Sequence, residues 1–383
     1  MKSHPRPSLR HRLSIPAWAR ALLPAVLIAC TLPLAGTVQA QTVPANIALP
    51  FYTPNDFMEG AWRHWYAPRS ADFAAQSAAL VTALNAYCDA TPGTGATDAR
   101  VQARQQWQRA AAVWDRMAGV QVGPMLQRRS SRQIDFSPTR PALIKRAIQR
   151  APADVDALET VGTPAKGLPA IEYLLWTEPA APASPACRYA SVLAAEVARE
   201  GTVLSATFAD LARTKPGTTD ADREAEEEKT SVPAMSELVN QWVGGLERLR
   251  WSHMEKPRMS SAQGAGNAGG YPRAASGQTA AAWAGEWQAL RTLAISRERG
   301  APDPATSVVA LETYLRGRGL NPLANKLVHS VEKTDQLMQN LSPRNAAGMQ
   351  QASRALADLK RLAEAELAPA LEVNIGFSDA DGD

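Results

Sequence analysis

A single charge interrupts the apolar run GLPAIEYLLW, residues 167–176, and that charge, Glu172, is the first place in the chain to look for chemistry. A carboxylate set beside a core binds a cation, handles a proton, or offsets unpaired backbone groups. Its neighbours predict a helix start. Pro169 suits the first turn, where its missing N–H costs nothing, and Gly167 allows a tight approach just before it. Glu172 then falls within or just after that turn, near the positive end of the helix dipole. Two readings follow: a helix-start acid compensating free N–H groups, or a ligand-binding or proton-handling group in a pocket between domains.

A second acidic group lies at the other end of the sequence, where Asp379, Asp381 and Asp383 alternate in SDADGD. Hard oxygen donors of this kind suit Ca²⁺, Mg²⁺ or Fe³⁺ better than Zn²⁺. The segment is not an EF-hand, since its Gly stands at the fourth place and no twelfth-position Glu follows. Joined to Glu172, the three aspartates would make an all-carboxylate metal site if the tail docks beside it; otherwise they form a frayed acidic tail. Histidine is scarce. Beyond residue 40 only His64, His253 and His329 occur, far apart, with His64 in WRHWYAPR the best candidate for a polar pocket. His-Glu-x-x-His, Gly-x-Ser-x-Gly, Gly-x-x-x-x-Gly-Lys and Cys-x-x-Cys-His are all missing, the last excluding covalent haem.

The elements that must position these groups read as helices almost throughout. Phe73, Leu80, Leu84, Tyr87 and Cys88 recur at helical spacing, as do Val101, Trp107, Trp114 and Met117. A third stripe runs through Val232, Met235, Leu238, Val239, Trp242, Leu246 and Leu249, and a fourth through Leu356, Leu359, Leu362, Leu367 and Leu371. Trp107 with Trp114, and Trp283 with Trp287, have core spacing. No series of alternating strands appears, so the predicted fold class is all-α, two helical bundles packed side by side. Their expected extents are residues 41–200 and 201–383. Residues 215–229 read as a charged linker or solvated helix start, and 256–278, rich in Gly, Ala and Ser, as a mobile loop.

Residues 1–40 read as an export signal. Lys2, Arg6, Arg10, Arg12 and Arg20 precede an apolar run that ends in Val38-Gln39-Ala40, a small-residue cleavage site. LIAC, ending at Cys30, also resembles a lipoprotein box, so a lipid-anchored form is the alternative to a cleaved one. The formal charge of the whole chain is +4, and the leader carries five basic residues and no acid, which leaves −1 for the remainder and excludes a nucleic-acid surface. Cys88 and Cys187 are then the remaining cysteines, an even pair in an oxidising compartment. A disulfide between them would stabilise by about 3–5 kcal/mol in the chain-entropy model; two separate buried thiols are the other reading.

GTPAKGLPAIEYLLW resembles the signature of the imelysin-like family, also called insulin-cleaving membrane proteases, in which Gly-x-His-x-x-Glu precedes an apolar Tyr/Phe-Leu-Leu-Trp run. WDRMAGVQVGPM, CRYASVLAAEVAR and the closing IGFSDADGD resemble further family segments in the same order, so the resemblance spans most of residues 45–383. It implies two helical bundles of related topology, a location in the cell envelope, a link to iron uptake, and a motif set of Gly167, Glu172, Tyr173 and Trp176. Pro169 stands where the family has His. Of the i,i+3 pair that would place an imidazole and a carboxylate on one helix face only Glu172 is left, and proline has no donor atom for a metal.

The sequence therefore leads to an exported, non-catalytic protein that binds a metal ion, iron or calcium, or a small ligand at an interdomain interface in connection with iron uptake. Two rivals stand beside it: a metallopeptidase-like hydrolase of the envelope, and a partner of envelope redox or iron-transport proteins.

Overall fold

Residues 49–91, 93–214, 219–262, 270–297 and 300–376 are described in a computed structural model, and among them the chain is all-α with no strand. Thr53 opens α1 (Pro54–Gly60) with a reciprocal cap: its hydroxyl accepts the Asp56 N–H at 3.2 Å while the Asp56 carboxylate accepts the Thr53 N–H at 2.8 Å. A π turn at Ala61–Tyr66 leads into α2 (Ala67–Cys88), followed by α3 (Thr94–Ala118) and the short α4 (Pro124–Gln127), α5 (Ser130–Ile134) and α6 (Pro141–Arg150). Then come α7 (Gly167–Glu172), α8 (Pro185–Arg213), α9 (Asp220–Glu226) and α10 (Val232–Glu247). The remainder holds α11 (Lys256–Ala262), α12 (Thr279–Ala294), α13 (Leu311–Gly317), α14 (Asn321–Met338), α15 (Ala346–Leu362) and α16 (Ala368–Ala370).

Apolar spacing decides which helices meet. Phe73, Ser77, Leu80, Leu84, Tyr87 and Cys88 form the buried stripe of α2, which packs on α8 and α3; α7 lies against α8. Among the later helices α14 packs on α15 and α12, and α10 on α15. The two sets meet where α3 crosses α12, and the described residues form one compact unit. Where α10 passes the end of α3, a Cβ added to Gly245 would land far inside contact distance of the Gly119 carbonyl oxygen, so only glycine permits the approach. Arg248 then donates to the Ala118 and Gly119 carbonyls at 2.8 Å each, serving acceptors that the end of α3 leaves free. Cys88 and Cys187 form a disulfide that ties the end of α2 to the first turn of α8.

Three expectations need correction. Val101 is 43% exposed: it precedes Trp107 by six residues, which at 3.6 residues per turn turns it about 120° away from the buried face, and Ala103 occupies the stripe instead. Val232, the first residue of α10, is also exposed, at 46%. The stretch 256–278 is not one irregular loop. Lys256–Ala262 is helical, and residues 270–278 return to the core, with the Tyr271 ring edge-on to Trp283 at 5.5 Å and Arg273 buried. Within 215–229, α9 has no buried residue, as a solvated helix start requires. Residues 1–40 with Cys30, and Asp379, Asp381 and Asp383, lie outside the described residues. Among the described residues no helix is long and apolar enough to cross a membrane.

Candidate functional site

The run 167–176 is locked before its side chains are considered. Gly167 has φ 70°, and a Cβ there would collide with the Ile134 carbonyl at the end of α5. One residue earlier, the Lys166 ammonium is buried in an ion pair with Glu196 of α8 and donates to the Leu158 carbonyl at 3.2 Å. Pro169 occupies the third position of α7, and the Trp107 indole N–H donates to the Leu168 carbonyl at 2.9 Å. At the far end Arg104 donates to the Leu175 carbonyl from Nε at 2.9 Å and from Nη2 at 2.5 Å. Its guanidinium lies over the Trp176 ring, which meets Trp107 edge-on at 5.1 Å. Trp107 thus has the core position its spacing implies and also holds the signature helix.

Glu172 is the last residue of α7 before the π turn Tyr173–Thr177, and its side chain serves a different element from its own. Oε1 accepts the backbone N–H of Ser276 at 2.8 Å, 104 residues later in the chain. It is therefore a tertiary contact and caps no N–H of its own helix. A cavity of about 520 Å³ opens beside it. One wall is Pro169, Glu172, Tyr173 and Thr177; the second is the loop from Asp135 to Pro141; the third is the turn Tyr271–Ala275. Gly167 and Trp176 do not line it: the first sets the backbone and the second packs on α3.

Arg273 holds the third wall. It is 3% exposed and has φ 56°, a conformation that side chains other than glycine adopt at a cost. Nη1 donates to Asp135 Oδ1 at 2.7 Å, and Nη2 to Asp135 Oδ2 at 2.6 Å and Asp115 Oδ1 at 2.8 Å. The Trp114 indole N–H adds a bond to Asp135 Oδ2 at 3.0 Å. Burial, reinforced by the nearby Asp135 and Glu286 carboxylates and opposed by Arg273, pushes Asp115 up to about 6. For Arg273 burial works against the charge, but the two aspartates outweigh it and raise the guanidinium above its ordinary value. Deeper in, His253 Nδ1 lies 2.8 Å from both carboxylate oxygens of Glu286. Burial alone would raise Glu286, yet His253, Arg248 and Arg273 together hold it below the ordinary carboxylate range.

None of the three histidines lines the cavity: His64 sits half-buried on the first π turn, His253 is committed to Glu286, and His329 is exposed on α14. Among the described residues no group of three or more His, Cys, Asp and Glu is placed to hold a metal. The described chain ends tied to α10, where Asn240 donates to the Asn374 carbonyl at 3.0 Å and accepts the Gly376 N–H at 2.9 Å.

Asp115, Asp135, Arg273 and Ser276 escaped the sequence reading. A signal existed for Asp115, an acid directly after a core tryptophan in AAAVWDRMAGV. Arg273 had none, because nothing in a Gly, Ala and Ser-rich stretch tells which arginine turns inward.

The family model described as Imelysin (Peptidase_M75) matches residues 66–368, a span that holds the run 167–176 and stops short of the three terminal aspartates. Among solved structures, an imelysin-like protein from Psychrobacter arcticum 273-4 aligns with a TM-score of 0.67 at 20% identity, over 86% of this chain and 100% of that one. A protein from Parabacteroides distasonis ATCC 8503, provisionally described as an iron-regulated protein A precursor, aligns with a TM-score of 0.64 at 12% identity, over 83% and 94% of the two chains. Comparison with curated proteins finds no match.

Proposed function

The chain belongs to the imelysin family, and from that premise we propose that it is a binding protein of the cell envelope, serving iron acquisition by holding a small ligand in the cavity beside Glu172 rather than by hydrolysing a substrate. One observation carries this reading: the carboxylate of the family motif forms part of a cavity wall and is fastened by the Ser276 N–H from a distant part of the chain. A volume of about 520 Å³ lies within the usual range for small-molecule sites. The iron connection rests on the description of the Parabacteroides protein, and the envelope location on the leader-like residues 1–40.

The residues around the cavity argue for a ligand over hydrolytic metal chemistry. Pro169 has no donor atom, both oxygens of Asp135 are taken by Arg273, and Glu172 has one oxygen engaged. A metal held here would need further donors, for which Asp379, Asp381 and Asp383 are the candidates in the sequence. Purification of the wild-type protein and Glu172→Gln from iron-starved cells, followed by elemental analysis and mass spectrometry of what each releases on denaturation, tests the proposal. The wild type should carry a compound or metal that the variant lacks. Equal loads on both proteins would overturn the assignment.

A further inference from the structure

Glu172 is only 7% exposed and lines the cavity, yet its second oxygen, Oε2, has no partner among the described residues. Oε2 is not shut away in the core: it stands open to the cavity as a free acceptor that an entering donor can use. Charge is unbalanced in the same direction. Asp135 and Glu172 on the walls, with Asp115 behind them, outnumber the guanidinium of Arg273, whose terminal nitrogens are given to the two aspartates and whose Nε is buried without a partner. In the next layer Glu286 engages His253 and Arg248, and Arg248 also acts on Asp135, so the cluster sets four carboxyl groups, Asp115, Asp135, Glu172 and Glu286, against two guanidinium groups and one imidazole.

We propose that the cavity takes a small organic cation, a primary ammonium on an apolar body, whose head donates to Glu172 Oε2. The inference rests on reading the cavity as a ligand site and adds the chemical class of the ligand. A metal ion fits less well, because Ca²⁺ takes six to eight oxygen donors and the walls offer one uncommitted carboxylate oxygen. A guanidinium fits less well for a related reason: its fork needs two parallel acceptors, whereas an ammonium is a compact charge that one oxygen can hold. Tyr173 and Tyr271 add aromatic side chains to the lining, Pro169, Pro272 and Ala274 add apolar surface for the body, and Thr139 and Thr177 add hydroxyl-bearing residues. Burial and the neighbouring Glu178 push the Tyr173 phenol up to about 12, so it stays uncharged at neutral pH, while Asp115, at about 6, is ionised there.

Three probes with one body and different heads test this: 3-phenylpropylammonium, 3-phenylpropan-1-ol and 3-phenylpropanoate, titrated calorimetrically into the full protein at pH 7.5 and low salt. The ammonium should bind about tenfold tighter than the alcohol, and the carboxylate more weakly than either. Glu172→Gln should reduce ammonium affinity about tenfold and leave the alcohol within about twofold. Thr139→Lys, which places a competing ammonium on the wall without touching Glu172, should act in the same direction. If the alcohol binds wild type as tightly as the ammonium, the cavity reading stands and the charge inference falls. Binding by none of the three overturns both, and ammonium binding indifferent to both substitutions places it elsewhere and overturns the proposal.

Discussion

Two of the cavity's three walls are built on opposite principles. The signature helix, 166–177, is held by many backbone contacts: Gly167 against Ile134, the Leu168 carbonyl on Trp107, the Leu175 carbonyl on Arg104. The turn 270–277 is held by the buried side chain of Arg273, engaged by two aspartates from elsewhere in the chain, together with the Ser276 N–H on Glu172 and the Tyr271 ring against Trp283. Steric locking is insensitive to pH and salt, while a buried ion cluster depends on the protonation of its members. Only the first wall is written in a recognisable motif.

The largest expected effect comes from breaking the steric wall. Gly167→Ala adds a Cβ at a positive φ and inside the Ile134 carbonyl, and should cost about 4 kcal/mol or more, read as a lower midpoint in urea unfolding. Breaking the electrostatic wall with Arg273→Met strands two aspartates and should cost about 3 kcal/mol. Its signature is local: amide exchange in 270–277 rises while 166–177 keeps its protection. Adding Asp115→Asn and Asp135→Asn to that variant should restore part of the loss, whereas a further decrease would show that the aspartates are not the reason for it.

A smaller effect separates the walls by pH. Asp115 has a folded pKa raised to about 6, above the ordinary value of an unfolded Asp, so between these values the folded state binds more protons and this group's contribution to stability falls as pH rises from about 4 to 6. Asp115→Asn should remove that slope. Wild-type stability relative to the variant should drop by about 2 kcal/mol across the interval and stay level above it, measured by urea unfolding at several pH values. A flat difference would mean that Asp115 is charged throughout. The smallest change is expected from Glu172→Gln, within about 1 kcal/mol, because the amide oxygen still accepts the Ser276 N–H.

Much of this architecture is legible in residue order. The stripes through Phe73, Leu80 and Leu84, and through Trp107, Trp114 and Met117, are buried as their spacing requires, since a helix repeats its face every three or four residues regardless of its partner. The disulfide between Cys88 and Cys187 matches one of the two readings of the cysteine pair. Val101 failed because a six-residue step was counted as on-face. Residues 270–278 failed for a deeper reason. Composition reports how much apolar surface a segment can bury, and it is silent on one charged side chain that finds a buried countercharge.

What the sequence determined by itself was local: helices from periodicity, the backbone demand at Gly167 and Pro169, and Glu172 as the lone acid of its run. Only the tertiary structure decided what Glu172 faces. Its partner is a backbone N–H, which every residue but proline carries and which no residue type advertises, and the neighbouring charges of Asp115, Asp135 and Arg273 are brought together from three separate parts of the chain.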